Sequence, residues 1–135
     1  MNKFAAYILS IICVLSLIGC SGSADKPIAI YIGDDVTEIK ITHILGGQLT
    51  EWSIEDDDIS LLQTWVNGLD YKSITFEEGN TPGDSNGGEI YWFELTGGDY
   101  SDFDYIITGP DDCYLLIEGR WYVVRNPSAP PVEAP

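Results

Sequence analysis

Between Glu89 and Val124 the chain alternates apolar and polar residues in short runs separated by turn-forming residues, and this period of two sets the character of the fold. The runs cover Glu89–Thr96, residues 102–108, Cys113–Ile117 and Arg120–Val124, with Gly97-Gly98-Asp99, Gly109-Pro110-Asp111-Asp112 and Glu118-Gly119 between them. Connections this short join antiparallel neighbours, so the spacing predicts a C-terminal four-strand meander. The first run is apolar on both faces, with Ile90 and Trp92 on one parity and Tyr91, Phe93 and Leu95 on the other. That places it inside the sheet rather than at its edge.

Upstream, residues 28–32 alternate, Gly33-Asp34-Asp35 punctuates, and residues 36–44 alternate again, the pattern of a hairpin. In the second of these runs Ile39, Ile41 and His43 share one face, with Lys40 and Thr42 on the other. Gly46-Gly47 then turns the chain into a strand over Gln48–Ile54. Ile59, Leu62, Trp65, Val66 and Leu69 recur at helical spacing behind Glu55-Asp56-Asp57-Asp58, acids that suit the positive end of a helix dipole. Ser53 with Asp56 has the pattern of a capping box and Gly68 the position of a stop, which predicts one helix over residues 55–68. A strand over residues 71–76 and a polar loop over 77–88 follow. The expected fold class is α+β: one antiparallel sheet with a helix packed on it, residues 27–125 forming a single domain. Residues 126–135, with Pro127, Pro130, Pro131 and Pro135, read as an extended, unpacked tail.

The 135 residues include 22 Asp and Glu against six Lys and Arg, a formal net charge of −16. Four Trp, eight Tyr and four Phe give enough apolar surface to bury, which argues against disorder. The acidic excess excludes nucleic acid as a partner, because phosphates must be neutralised by Lys and Arg. It favours a basic partner and cations, and disfavours anionic lipid headgroups.

Residues 1–20, MNKFAAYILSIICVLSLIGC, place Lys3 before an apolar run from Phe4 to Ile18 broken only by Ser10 and Ser16. The run is short for a membrane span and has the length of a signal-peptide core. Its end, Leu17-Ile18-Gly19-Cys20, resembles the lipobox of bacterial lipoproteins. The resemblance implies a signal peptide over residues 1–19, thioether lipidation of Cys20 and acylation of the new amino terminus, hence an anchor on the extracytoplasmic face of a cell membrane. Two acyl-type attachments hold a protein stably where one chain binds only marginally. Residues 20–26 then form a lipidated flexible tether. Cleavage removes Cys13, and lipid blocks Cys20, so Cys113 has no intrachain partner and the core must stabilise the domain without a disulfide.

Candidate chemistry is sparse. Cys113 and His43 are the sole thiol–imidazole pair open to the mature chain, yet Cys113 shares parity with Leu115 and Ile117 and is expected to face the core. Asp84, Asn86 and Glu89 put hard oxygen ligands on a glycine-rich loop, a weak calcium pattern, because Gly88 and Leu95 occupy positions where EF-hand ligands belong. Asp99, Asp102 and Asp104 form a second weak cluster. No cofactor is otherwise expected. Glu94 and Asp104 are the nearest approach to the paired carboxylates of a glycosidase, and nothing in their spacing selects them from the other acids. Trp92, Trp121 and Tyr122 are the best candidates for ligand binding, since such rings combine contact area with a polar handle. The sequence therefore reads as a surface-anchored, non-enzymatic binding module for an envelope or extracellular protein or glycan. The alternative is a small envelope hydrolase acting on glycans or peptides through paired carboxylates.

Overall fold

A computed structural model of the chain describes residues 29–82, 88–99 and 101–135. In chain order these form strands β1 (Glu38–Leu45) and β2 (Gln48–Ile54), helix α1 (Asp56–Gly68), and strands β3 (Tyr71–Ser73), β4 (Glu89–Thr96), β5 (Phe103–Ile107), β6 (Cys113–Ile117) and β7 (Arg120–Val124). The strands make one sheet in the order β2-β1-β4-β5-β6-β7-β3, with every neighbouring pair antiparallel. The architecture is α+β, mostly antiparallel sheet with one helix among the described residues.

β2 and β3 are separated in sequence by the helix and lie at opposite edges of the sheet. Six inter-strand gaps of about 4.8 Å separate them, roughly 29 Å. A helix of 13 residues reaches about 20 Å at 1.5 Å per residue. Glu55 at its start and Leu69-Asp70 at its end supply the remainder as extended chain. The helix thus crosses one face of the sheet, and the alternation of the strands supplies the apolar surface beneath it.

Ile41, Phe93, Phe103 and Ile117 stand opposite one another across β1, β4, β5 and β6. Tyr91, Tyr105, Leu115 and Tyr122 make the next row, across β4, β5, β6 and β7. These side chains join Ile59, Leu62 and Val66 of α1 in one core. Each such aliphatic or aromatic side chain contributes about 1.5–3 kcal/mol when fully buried. The stacked pair Phe93 and Phe103 lies with ring centroids 4.6 Å apart, and Trp65 of the helix meets Tyr105 edge-on at 4.9 Å.

Several expectations are corrected. Residues 29–32 do not pair as a strand, because both edges of β1 are already taken by β2 and β4. The segment runs instead against the helix, burying Ile30, Ile32 and Val36. The Ile30 N–H donates to the Tyr71 hydroxyl at 3.0 Å, and Gln63 Nε2 donates to the Ile32 carbonyl at 2.9 Å. Near its end the chain passes so close to Gly97, at φ +96°, that an added Cβ there would lie 2.4 Å from the Asp35 carbonyl.

Ser53 does not cap the helix. It is still within β2, on the face turned away from α1, and its hydroxyl donates to Glu38 at 2.6 Å. Glu55 occupies the cap position with no side-chain cap bond, leaving the acids Asp56, Asp57 and Asp58 to favour the first turn. The expected strand over 71–76 ends at Ser73; Phe76 instead packs edge-on against Tyr114 and Trp121, with ring centroids 5.5 Å away in both cases.

The proline-rich C-terminus is extended yet packed. Asn126 bridges the end of the helix, its Nδ2 donating to the Gly68 carbonyl at 2.7 Å while its Oδ1 accepts the Asp70 N–H at 2.6 Å. The Ser128 hydroxyl accepts from Trp65 Nε1 at 2.9 Å, and its N–H donates to the Tyr105 hydroxyl at 3.3 Å. Pro130 and Val132 are buried, the latter within the core. Asn126, rather than a left-handed glycine, closes the helix. Asn126→Ala is expected to lower the unfolding free energy by about 1–2 kcal/mol, since two backbone groups lose their partner; urea unfolding followed by tryptophan fluorescence measures it.

Candidate functional site

The helix and its flanking segments cover one face of the sheet, and the opposite parity of every strand defines the other. On this second face Thr42, Trp92, Asp104, Leu116 and Trp121 form a single cross-strand row over β1, β4, β5, β6 and β7. The adjoining row is Leu49, Ile44, Ile90, Ile106, Tyr114 and Val123. Trp92 is 46% exposed and Leu49 61% exposed, although β4 is an interior strand. Trp92 and Leu49 are the large apolar side chains that this face exposes among the described residues.

Trp92 and Trp121 therefore share a face and a row, whereas Tyr122 does not belong with them. Tyr122 is 2% exposed on the helix-covered face, edge-on to Tyr71. Trp121 is half-buried beneath Phe76 and borders an open cavity of about 390 Å³ shared with Glu77, Glu78, Thr81 and Arg120. Of these three rings, Trp92 is the most exposed.

Charge on this face is distributed unevenly. Lys40 lies 3.3 Å from Glu51 and 3.4 Å from Glu94, and the two carboxylates, Glu51 foremost, raise the lysine above its ordinary value. Asp104, between Trp92 and Leu116, is pushed up to about 6, first by burial and then by the neighbouring charge of Asp102. Asp102 is itself occupied, accepting the Leu95 N–H at 2.9 Å. Glu94 and Asp104 do lie on one face of adjacent strands, but Glu94 is tied to Lys40.

The remaining candidates fall elsewhere. His43 and Cys113 both lie on the covered face, yet β4 and β5 separate their strands, an interval of about 14 Å or more that keeps them from forming a dyad. His43 stacks on Tyr91 at 4.3 Å, and its Nε2 is 2.8 Å from Glu89 Oε1, which also accepts from the Tyr91 hydroxyl at 2.8 Å. Burial, and then this carboxylate, push the Tyr91 hydroxyl up to about 12. Cys113 is 3% exposed, and burial pushes its thiol up, opposed by a hydrogen bond with Tyr105. Asp84 and Asn86 lie outside the described residues, as does Cys20. Among the described residues no group of three or more His, Cys, Asp or Glu side chains is placed to hold a metal ion.

The desolvation of Asp104 and the cluster of His43, Glu89 and Tyr91 were not legible in the sequence, because both depend on register. The one local signal for Asp104 was its position in a strand whose neighbour is apolar on both faces. No family model matches the chain, and neither a curated protein nor a solved structure matches it.

Two outcomes are expected. A carboxyl that titrates near 6 in the fold and about 4 in the unfolded chain favours folding when protonated. Its contribution is complete below about pH 4 and is lost as pH rises through 6. Asp104→Asn is thus expected to stabilise the protein at pH 7.5 by about 1 kcal/mol, allowing for partial solvent screening, and to change little at pH 4; urea melts at both pH values check the sign. Alkylation of Cys113 by iodoacetamide is expected to be at least about a hundredfold slower in the folded protein than in urea, with mass spectrometry as the readout.

Proposed function

We propose that this chain is a lipid-anchored bacterial envelope protein, held on the extracytoplasmic face by Cys20, whose domain is a non-enzymatic binding module using the open face of its sheet. The observation that carries the binding reading is Trp92, nearly half exposed at the centre of the face that α1 leaves bare. Around it Leu49, Ile44 and Ile90 provide apolar contact area, and Glu51, Glu94 and Asp104 provide a polar margin. An aromatic anchor within an apolar patch, ringed by polar groups, is the usual anatomy of a protein contact surface. The anchor reading rests on the apolar run and the lipobox resemblance at residues 4–20. No helix among the described residues is long and apolar enough to cross a membrane.

The raised Asp104 carboxyl favours a second reading, an envelope hydrolase in which a protonated Asp104 serves as general acid beside Glu94. Incubation with cell-wall fragments separates the two, since a binder leaves its ligand intact. The binding reading is tested by photo-crosslinking the tagged full-length protein in native envelopes. Trp92→Ala is expected to cut recovery of the crosslinked partner at least about tenfold, as for an interface anchor worth some 1.4 kcal/mol or more. Unchanged recovery removes Trp92 from the interface. Intact mass spectrometry of the native product is expected to show a chain beginning at a lipidated Cys20; an unmodified chain beginning at Met1 overturns the anchor.

A further inference from the structure

Trp92 and Asp104 are direct cross-strand partners on the open face, which sets their Cβ atoms about 5 Å apart. Leu116 stands on the far side of Asp104, and Ile106 is its same-face neighbour along β5. Asp104 makes no hydrogen bond or ion pair with any described residue. Lys40, the cation of this face nearest to it by register, is already engaged by Glu51 and Glu94. Asp102 on the same strand adds charge of the same sign. A half-buried carboxylate is therefore left beside an exposed indole with no counter-charge among the described residues.

We infer that Trp92 and Asp104 form a receptor site for one cationic side chain, an arginine guanidinium or a lysine ammonium, presented on an apolar-flanked segment of a basic protein partner. This rests on the open face being the binding surface, and it names what that surface takes. The occupant follows from charge: an ammonium or guanidinium over the indole face is attracted by the ring, and the adjacent carboxylate completes the pairing. The row Leu49, Ile44, Ile90 runs beside the Trp92–Asp104 pair and receives the apolar residues that flank the cation. With 22 acidic and six basic residues, the chain's field draws positively charged segments toward this face and repels a second copy of itself.

The experiment uses the isotope-labelled full-length chain in detergent micelles and follows the Trp92 indole N–H by NMR, assigned through its loss in Trp92→Phe. The probes are the N-acetylated peptide amide Leu-Arg-Leu and its isostere with citrulline in place of arginine. The arginine peptide is expected to shift the Trp92 signal saturably and to bind about tenfold or more tighter than the citrulline peptide at pH 7.5. Asp104→Asn is expected to erase that difference while leaving the fold intact. Lowering the pH to 5 is expected to narrow it, because Asp104 protonates. Equal binding of the two peptides, or a preference that survives Asp104→Asn, overturns the cation site. So does a Trp92 signal that responds instead to N-acetylglucosamine oligomers or to protein dilution, which assigns the face to a glycan or to a second copy. If neither peptide moves Trp92 while Trp92→Ala still loses the crosslinked partner, the cation site falls and the binding face stands; if crosslinking is also unchanged, both fall.

Discussion

The structure depends on one geometrical constraint: a single helix must carry the chain from one edge of a seven-stranded sheet to the other. With Glu55 and Leu69-Asp70 extending it, the helix is long enough for the crossing, but its width does not suffice for cover. An α-helix with side chains is about 10–12 Å across, whereas an eight-residue strand such as β1 or β4 is about 27 Å long. The helix alone leaves apolar residues bare on both of its sides. Two extended segments fill those margins, residues 29–36 against one flank and residues 126–132 against the other. Gln63, Tyr71, Trp65 and Tyr105 anchor them by hydrogen bonds to their backbone or side chains. Cys113, the cysteine among the described residues, is free within the core; apolar burial and these anchoring bonds hold the layer together.

With the helix and both extended segments on one face, the other is covered only in part, Phe76 packing on Tyr114 and Trp121 while Trp92 and Leu49 stay exposed, and the exposed chemistry follows from that asymmetry. The same alternation that sends Tyr91 and Phe93 into the core turns Trp92 outward, and the register of β5 sets Asp104 beside it. The acid is desolvated by its neighbours and paired with no cation among the described residues, a local arrangement that lowers stability near neutral pH. Groups held at such a cost are common where a protein meets a ligand, because the ligand supplies the missing interaction. On the covered face Glu89 is in the opposite condition: both His43 and Tyr91 converge on it, and it behaves as part of the packing.

Much of the fold was legible in the sequence. β2, β4, β6 and β7 begin and end where alternation and turn residues placed them, and the helix begins one residue later than its apolar spacing indicated. The helix face was also legible, because Ile59, Leu62 and Val66 are the buried positions of an i, i+3, i+7 pattern. Residues 28–32 misled for a definite reason. Alternation reports that every second side chain is buried, not that the backbone between them pairs with a neighbour, and β1 had no free edge to offer. The C-terminal prolines misled in the converse way: they fix an extended backbone, and whether that backbone lies in water or in a groove depends on what surrounds it.

The sequence by itself determined the local periods, the position of the helix, the parity of Cys113 toward the core and the acidic character of the surface. These properties are set by neighbours within a few residues. Only the tertiary structure decided that Trp92 and Asp104 meet, that Tyr122 faces away from Trp121, and that Asn126 rather than Gly68 closes the helix. Each depends on strand register or on contact between residues far apart in the chain. A shift of one residue in pairing would turn every side chain of a strand to the opposite face, and no local pattern carries that information.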